Sequence, residues 1–120
     1  PALGVKYCNN DDHTGEPITC LTGHDFETVT TKRSFIPISF DQFKSRLTQA
    51  SESNALMVAG IKMPPSDNIY GIDKFHAYAV MSCKNDQIEL RDPLDPKWRK
   101  TLPLRYVYDN FNKVQIEKQN

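Results

Sequence analysis

The chain has 120 residues, the size of one domain. Its 15 Lys and Arg balance 15 Asp and Glu, for a formal net charge of zero. That argues against a nucleic-acid partner, which calls for a basic stripe, and against attraction to anionic lipid. No apolar run approaches the ~20 residues that span a membrane.

Cys8, Cys20 and Cys83 are the cysteines, and an odd count in a small chain is not a disulfide framework. The expected compartment is reducing: the cytoplasm, or the inside of a cell entered by a secreted effector. Pro1, with no methionine before it, is expected of a processed or excised piece.

Residues 1–24 read as an irregular N-terminal segment, since Asn9, Asn10, Asp11, Asp12, Gly15, Pro17 and Gly23 are turn formers. The domain proper is expected over 25–120. A helix is predicted over 40–52. Ser39 is its cap, and Gln42 completes a capping box. Phe40, Phe43, Leu47 and Ala50 recur at helical spacing and make one apolar face. Residues 55–61 form a short apolar run, as for a strand buried on both faces. Residues 63–68 then break the pattern with two prolines. Strands follow over 75–83 and 87–92, joined by a turn at 84–86, with Pro93 and Pro96 ending the hairpin. Pro103 opens a short helix to about Phe111. Val114 and Ile116 alternate with polar neighbours in a last strand. The fold class is α+β: a small antiparallel sheet or half-barrel with one main helix. Phe40, Phe43, Leu47, Leu56, Val58, Val80, Ile88, Leu90, Phe111 and Val114 are its expected core.

The hairpin carries chemistry. Alternation places Ile88, Leu90 and Asp92 on one face of its second strand. A three-residue loop pairs Cys83 with Gln87 and Val80 with Leu90. His76 and Asp92 then become same-face diagonal neighbours, roughly 7–8 Å apart. A two-residue loop without a bulge would put them on opposite faces. Chemically the pair is a general base and the carboxylate that orients it. A satisfied core histidine, beside an Asp that merely ends a strand, fits the spacing as well.

The surrounding residues carry a family resemblance. Phe75-His76-Ala77-Tyr78-Ala79-Val80 resembles the "His-Ala-Tyr-Ser-Val" segment around the catalytic histidine of calpains. Asp92-Pro93 stands where that family has the Asn-Pro of "Asn-Pro-Trp-Gly". Leu21-Thr22-Gly23, residues 54–62 and residues 102–116 are similar to flanking family blocks, in the same order. The resemblance implies the C-terminal, histidine-bearing lobe of a papain-like cysteine peptidase, with His76 and Asp92 catalytic and no cofactor. The departures are Asp for Asn at position 92, Leu94 for the Trp, and Phe75 for the Gly often found before the histidine. Trp98 is a nearby substitute for the missing indole. The family's nucleophile lies in an N-terminal lobe, in a "Gly-x-Cys-Trp"-like segment without counterpart here. No acidic loop matches a calcium-ligand pattern.

Local thiols are poor replacements. A nucleophilic cysteine wants a helix N-terminus or a cation beside it, and Cys8 precedes Asn9-Asn10-Asp11-Asp12 instead. Cys8 is still the foremost local candidate. Cys20 reads as a small buried residue, and Cys83 ends its strand on the face opposite His76 by parity. Cys8, His13, Cys20 and His24 are also a zinc-compatible ligand set, although their spacing fits no finger signature. A polar loop that happens to hold them is the plainer reading.

Two functions follow as expectations. In the first, His76 activates a thiol supplied by an N-terminal lobe or a partner chain, and the substrate is a protein or peptide. In the second, the lobe is a catalytically inactive interaction module. A related papain-like amidase or acyltransferase is a third, since fold does not fix substrate.

Overall fold

The computed structural model describes residues 25–118, which form six strands and two helices. They run in the order β1 (Phe26–Thr30), α1 (Phe40–Glu52), β2 (Met57–Ile61), β3 (His76–Lys84), β4 (Gln87–Asp92), β5 (Asp95–Pro103), α2 (Leu104–Asn110) and β6 (Lys113–Glu117). The strands make one antiparallel sheet in the order β1-β6-β2-β3-β4-β5. This is an α+β domain. The segment expected to be irregular over 1–24 lies outside the described residues.

Local chemistry sets the helix. The Gln42 N–H donates to Ser39 Oγ at 3.1 Å, and the Ser39 N–H donates to Gln42 Oε1 at 3.3 Å. This capping box satisfies two amides that the first turn leaves orphaned. Asn54, at φ 59°, ends the helix in the left-handed conformation that Asn tolerates. Phe43, Leu47 and Ala50 are buried as their spacing requires. Phe40 packs edgewise on Tyr108 of α2 at a centroid distance of 5.4 Å, and Phe43 meets the same ring at a tilt at 5.2 Å.

All five residues of β2 are buried between β6 and β3. Of the expected core, Phe43, Leu47, Val80, Ile88, Leu90, Phe111 and Val114 are buried together. Phe40 is partly buried and packs against them, and Leu56 is half-buried. Val58 is buried on the reverse of the sheet, paired with Ala79 on one side and Gln115 on the other.

Three sequence expectations are corrected. β1 was not expected. It pairs with β6, and the Glu27 carboxylate accepts from the Arg46 guanidinium of α1 at 2.6 Å. Pro93 and Pro96 do not end the sheet. The chain turns at Pro93-Leu94 and returns as β5, with Asp92 opposite Asp95. Residues 96–98 bulge out before Arg99 pairs with Arg91, so Pro96 falls where the ladder is already interrupted.

The third correction concerns register. The β3–β4 loop has two residues, not three. Lys84 pairs with Gln87 and Cys83 with Ile88, while Asn85 and Asp86 take φ of 54° and 62°. Two left-handed residues match the twist of a tight hairpin, and Asn and Asp accept that conformation. The extra residue sits within β3 instead. The register shifts between Val80 and Ser82, which makes Met81 the bulged residue, and Val80 still faces Leu90. The bulge therefore restores the parity that the loop does not supply.

Candidate active site

The open end of the β3–β4 hairpin brings two polar side chains together. His76 begins β3, paired with Ile61 of β2, and Asp92 ends β4. Their contact is a 2.9 Å hydrogen bond between His76 Nε2 and Asp92 Oδ1. The side chains are 17% and 9% exposed. Carboxylate oxygens accept, so the hydrogen sits on Nε2 and Nδ1 keeps its lone pair. Nδ1 takes no partner among the described residues.

Each member is held by its own turn. Asp92 Oδ1 also accepts the Leu94 N–H at 2.9 Å, which fixes the carboxylate across the β4–β5 turn. Phe75 precedes His76 at φ 48°, and its N–H donates to the Lys62 carbonyl at 2.8 Å. Positive φ in an aromatic residue is an outlier that costs on the order of 1–3 kcal/mol. The Phe75 side chain recovers little of that, being 71% exposed.

Aromatic rings back the imidazole. Tyr78 meets the His76 ring at 4.7 Å and 61°, and Trp98 packs on Tyr78 at 5.0 Å. Trp98 thus stands one ring removed from the pair, and Leu94 is 71% exposed. Burial pushes the Tyr78 hydroxyl up to about 12. The same hydroxyl oxygen accepts the Asp73 N–H at 2.9 Å.

That contact introduces Asp73, a residue the sequence reading missed. Asn68 brackets Ile72, accepting its N–H at 2.8 Å and donating to its carbonyl at 2.9 Å. Ile72 is buried, which pins the segment just before Asp73. One ligand atom from each of Asp73, His76 and Asp92 lies within 4.8 Å of the others. Among the described residues these are the groups placed to hold a metal ion. The available signal was Asn68 with Gly71, a turn pattern eight and five residues before the histidine. It fixes a bend, but not which side chain the bend delivers.

Cys83 is not beside the histidine. It lies at the far end of β3, about 20 Å away at ~3.3 Å per strand residue. Its orientation corrects the parity expectation, because the Met81 bulge returns it to the core face with Tyr78 and Val80. Burial pushes its thiol up, against a lowering hydrogen bond with Thr48. Such a thiol is inert. Cys8 and Cys20, the other nucleophile candidates, and the zinc set with His13 and His24 lie outside the described residues.

In comparisons with known proteins, no family model matches the chain and no curated protein does. No helix among the described residues is long and apolar enough to cross a membrane.

Proposed function

We propose that this domain is the histidine-bearing half of a calpain-like cysteine endopeptidase, with the fold of a papain-type C-terminal lobe. The observation that carries the reading is the 2.9 Å bond from His76 Nε2 to a carboxylate that is itself fixed by the Leu94 amide. It leaves Nδ1 as the basic nitrogen. In this reading Nδ1 takes the proton of a thiol supplied by an N-terminal lobe or a partner chain. The thiolate attacks a peptide carbonyl, the imidazolium returns its proton to the leaving amine, and water hydrolyses the thioester. Asp92 holds the ring in one tautomer and stabilises its cation. The oxyanion is held by groups of the thiol-bearing lobe. The odd cysteine count and the buried free thiol of Cys83 fit the cytoplasm, or a secreted effector working inside a cell.

A second reading rests on a different observation. Phe75 and Leu94, each 71% exposed, flank the pair, and no thiol stands beside His76 among the described residues. Those features suit an inactive interaction module. One experiment separates the two. The chain is produced joined to the protein sequence encoded immediately upstream, and hydrolysis of an unfolded protein is followed. The peptidase reading expects thiol-dependent cleavage that falls at least about a thousandfold in His76→Ala. Cleavage that survives His76→Ala, or a folded joined protein that cleaves nothing, refutes it.

A further inference from the structure

We infer that Asp73, His76 and Asp92 form a binding site for a divalent transition-metal ion of the zinc class. The site goes beyond the peptidase reading, and its existence does not depend on it.

The donor set is mixed. One imidazole and two carboxylates suit a borderline ion such as zinc better than calcium or magnesium, which prefer all-oxygen shells. Three protein ligands leave a fourth position for water or another group. Geometry agrees in part already. Ligand atoms about 2.1 Å from a tetrahedral ion lie about 3.4 Å from one another. His76 Nε2 and Asp92 Oδ1 stand 2.9 Å apart, and the whole set spans no more than 4.8 Å. Binding parts His76 and Asp92 by about 0.5 Å, and the longer separations close through Asp73, the exposed member. Its carboxylate has no partner among the described residues, so a side-chain rotation meets no bond to break.

A separate observation concerns Asp92. Its side chain is only 9% exposed, yet both of its hydrogen bonds fall on Oδ1. Oδ2 receives no donor from any described residue, and it is not one of the sealed, unpartnered polar atoms among them, so it is open to an incoming ion. Two carboxylates this close together repel one another. A cation between the carboxylates compensates both. When it binds, the ion takes the place of the hydrogen between His76 and Asp92, and the ring keeps one proton by shifting it to Nδ1. If the peptidase reading holds, the bound ion also removes His76 from base duty and inhibits.

The test is calorimetric titration of zinc chloride into the full 120-residue chain, with cobalt chloride as a spectroscopic probe. We expect one ion per chain at this site, and cobalt bands of nitrogen and oxygen ligation without thiolate charge transfer. Affinity should fall at least about tenfold in Asp73→Asn and in His76→Gln, the range for losing a metal ligand or its support. It should persist in the Cys8→Ser, Cys20→Ser double variant. Asp73 is exposed and its backbone makes the bond to Tyr78, so Asp73→Asn keeps its fold and the test stands without the histidine variant. Absence of binding at millimolar zinc, binding indifferent to Asp73→Asn, or cobalt bands of thiolate ligation would each overturn the inference. Peptidase activity is not read in this experiment, so its failure leaves the role of His76 as a base untouched.

Discussion

The two ends of the β3–β4 hairpin follow opposite rules. At the closed end, backbone geometry dominates: Asn85 and Asp86 take left-handed conformations, and the nearby Cys83 thiol is sealed in the core. At the open end side chains dominate: His76 and Asp92 hold one another, largely covered, with a ring nitrogen left over. Burial silences a titratable group in one place and orients one in the other. What separates the two is a partner. The Cys83 thiol is pushed up chiefly by desolvation, while His76 has a carboxylate that is itself tied to the backbone.

The sharpest way to break this contrast is to delete Ala79, a paired residue of β3. The deletion leaves Val80 on Leu90 and turns Tyr78 and His76 to the other face of the sheet. We expect a loss above about 4 kcal/mol, or failure to fold, since a buried tyrosine leaves the core and the histidine leaves its carboxylate. Urea unfolding followed by circular dichroism measures it; deletion of Met81, which keeps Val80 opposite Leu90, should cost far less, and equal losses would disprove the bulge. Next in size is Asp92→Ala, which strips the acceptor from both His76 and the Leu94 amide. A cost of about 2 kcal/mol is expected, with Asp92→Asn losing less than half of that because one oxygen remains. Equal losses would show that charge, not acceptance, holds the site.

Phe75→Gly acts in the other direction. Glycine adopts φ 48° freely, so relief of backbone strain should stabilise by about 1 kcal/mol, net of glycine's greater unfolded entropy. A loss of stability would mean that the exposed ring is packed. The smallest effect belongs to Cys83. Its folded pKa lies above its ordinary value of 9.0, so the folded state keeps a proton that the unfolded chain releases. That contribution is intact below pH 9 and declines as pH rises through the folded value. Chemical unfolding from pH 8 to 10.5 should show the decline, and Cys83→Ala should flatten it. A slope unchanged by Cys83→Ala places the alkaline instability elsewhere.

Much of this was legible because it is written locally. The capping residues Ser39 and Gln42 and the face of Phe43, Leu47 and Ala50 predict α1 to the residue. Alternation of Ile88 and Leu90 predicts β4 and its pairing with Val80. The local code fails where one symbol has two uses. An odd residue in a hairpin can lie in the loop or in a bulge, and both bring Val80 to Leu90. Only the left-handed preference of Asn85-Asp86 favours the bulge. Proline usually stops a strand, but Pro96 sits in an interrupted stretch of β5 and stops nothing. β1 was illegible for another reason: five residues with a glutamate in second place are held by β6, more than eighty residues away. Asp73 was missed because an irregular segment has no period to read, and its position depends on Asn68 and buried Ile72.

The bulge at residues 96–98 has one more consequence, for the company the sheet keeps. β5 is an edge, with backbone groups that an extended segment from another molecule could pair. Three residues of that edge are out of step, and Lys97, Arg99 and Lys100 are exposed around them. An incoming strand would meet a kink and a row of like charges. The same irregularity that lets the sequence turn after Asp92 therefore makes this border a poor template for aggregation.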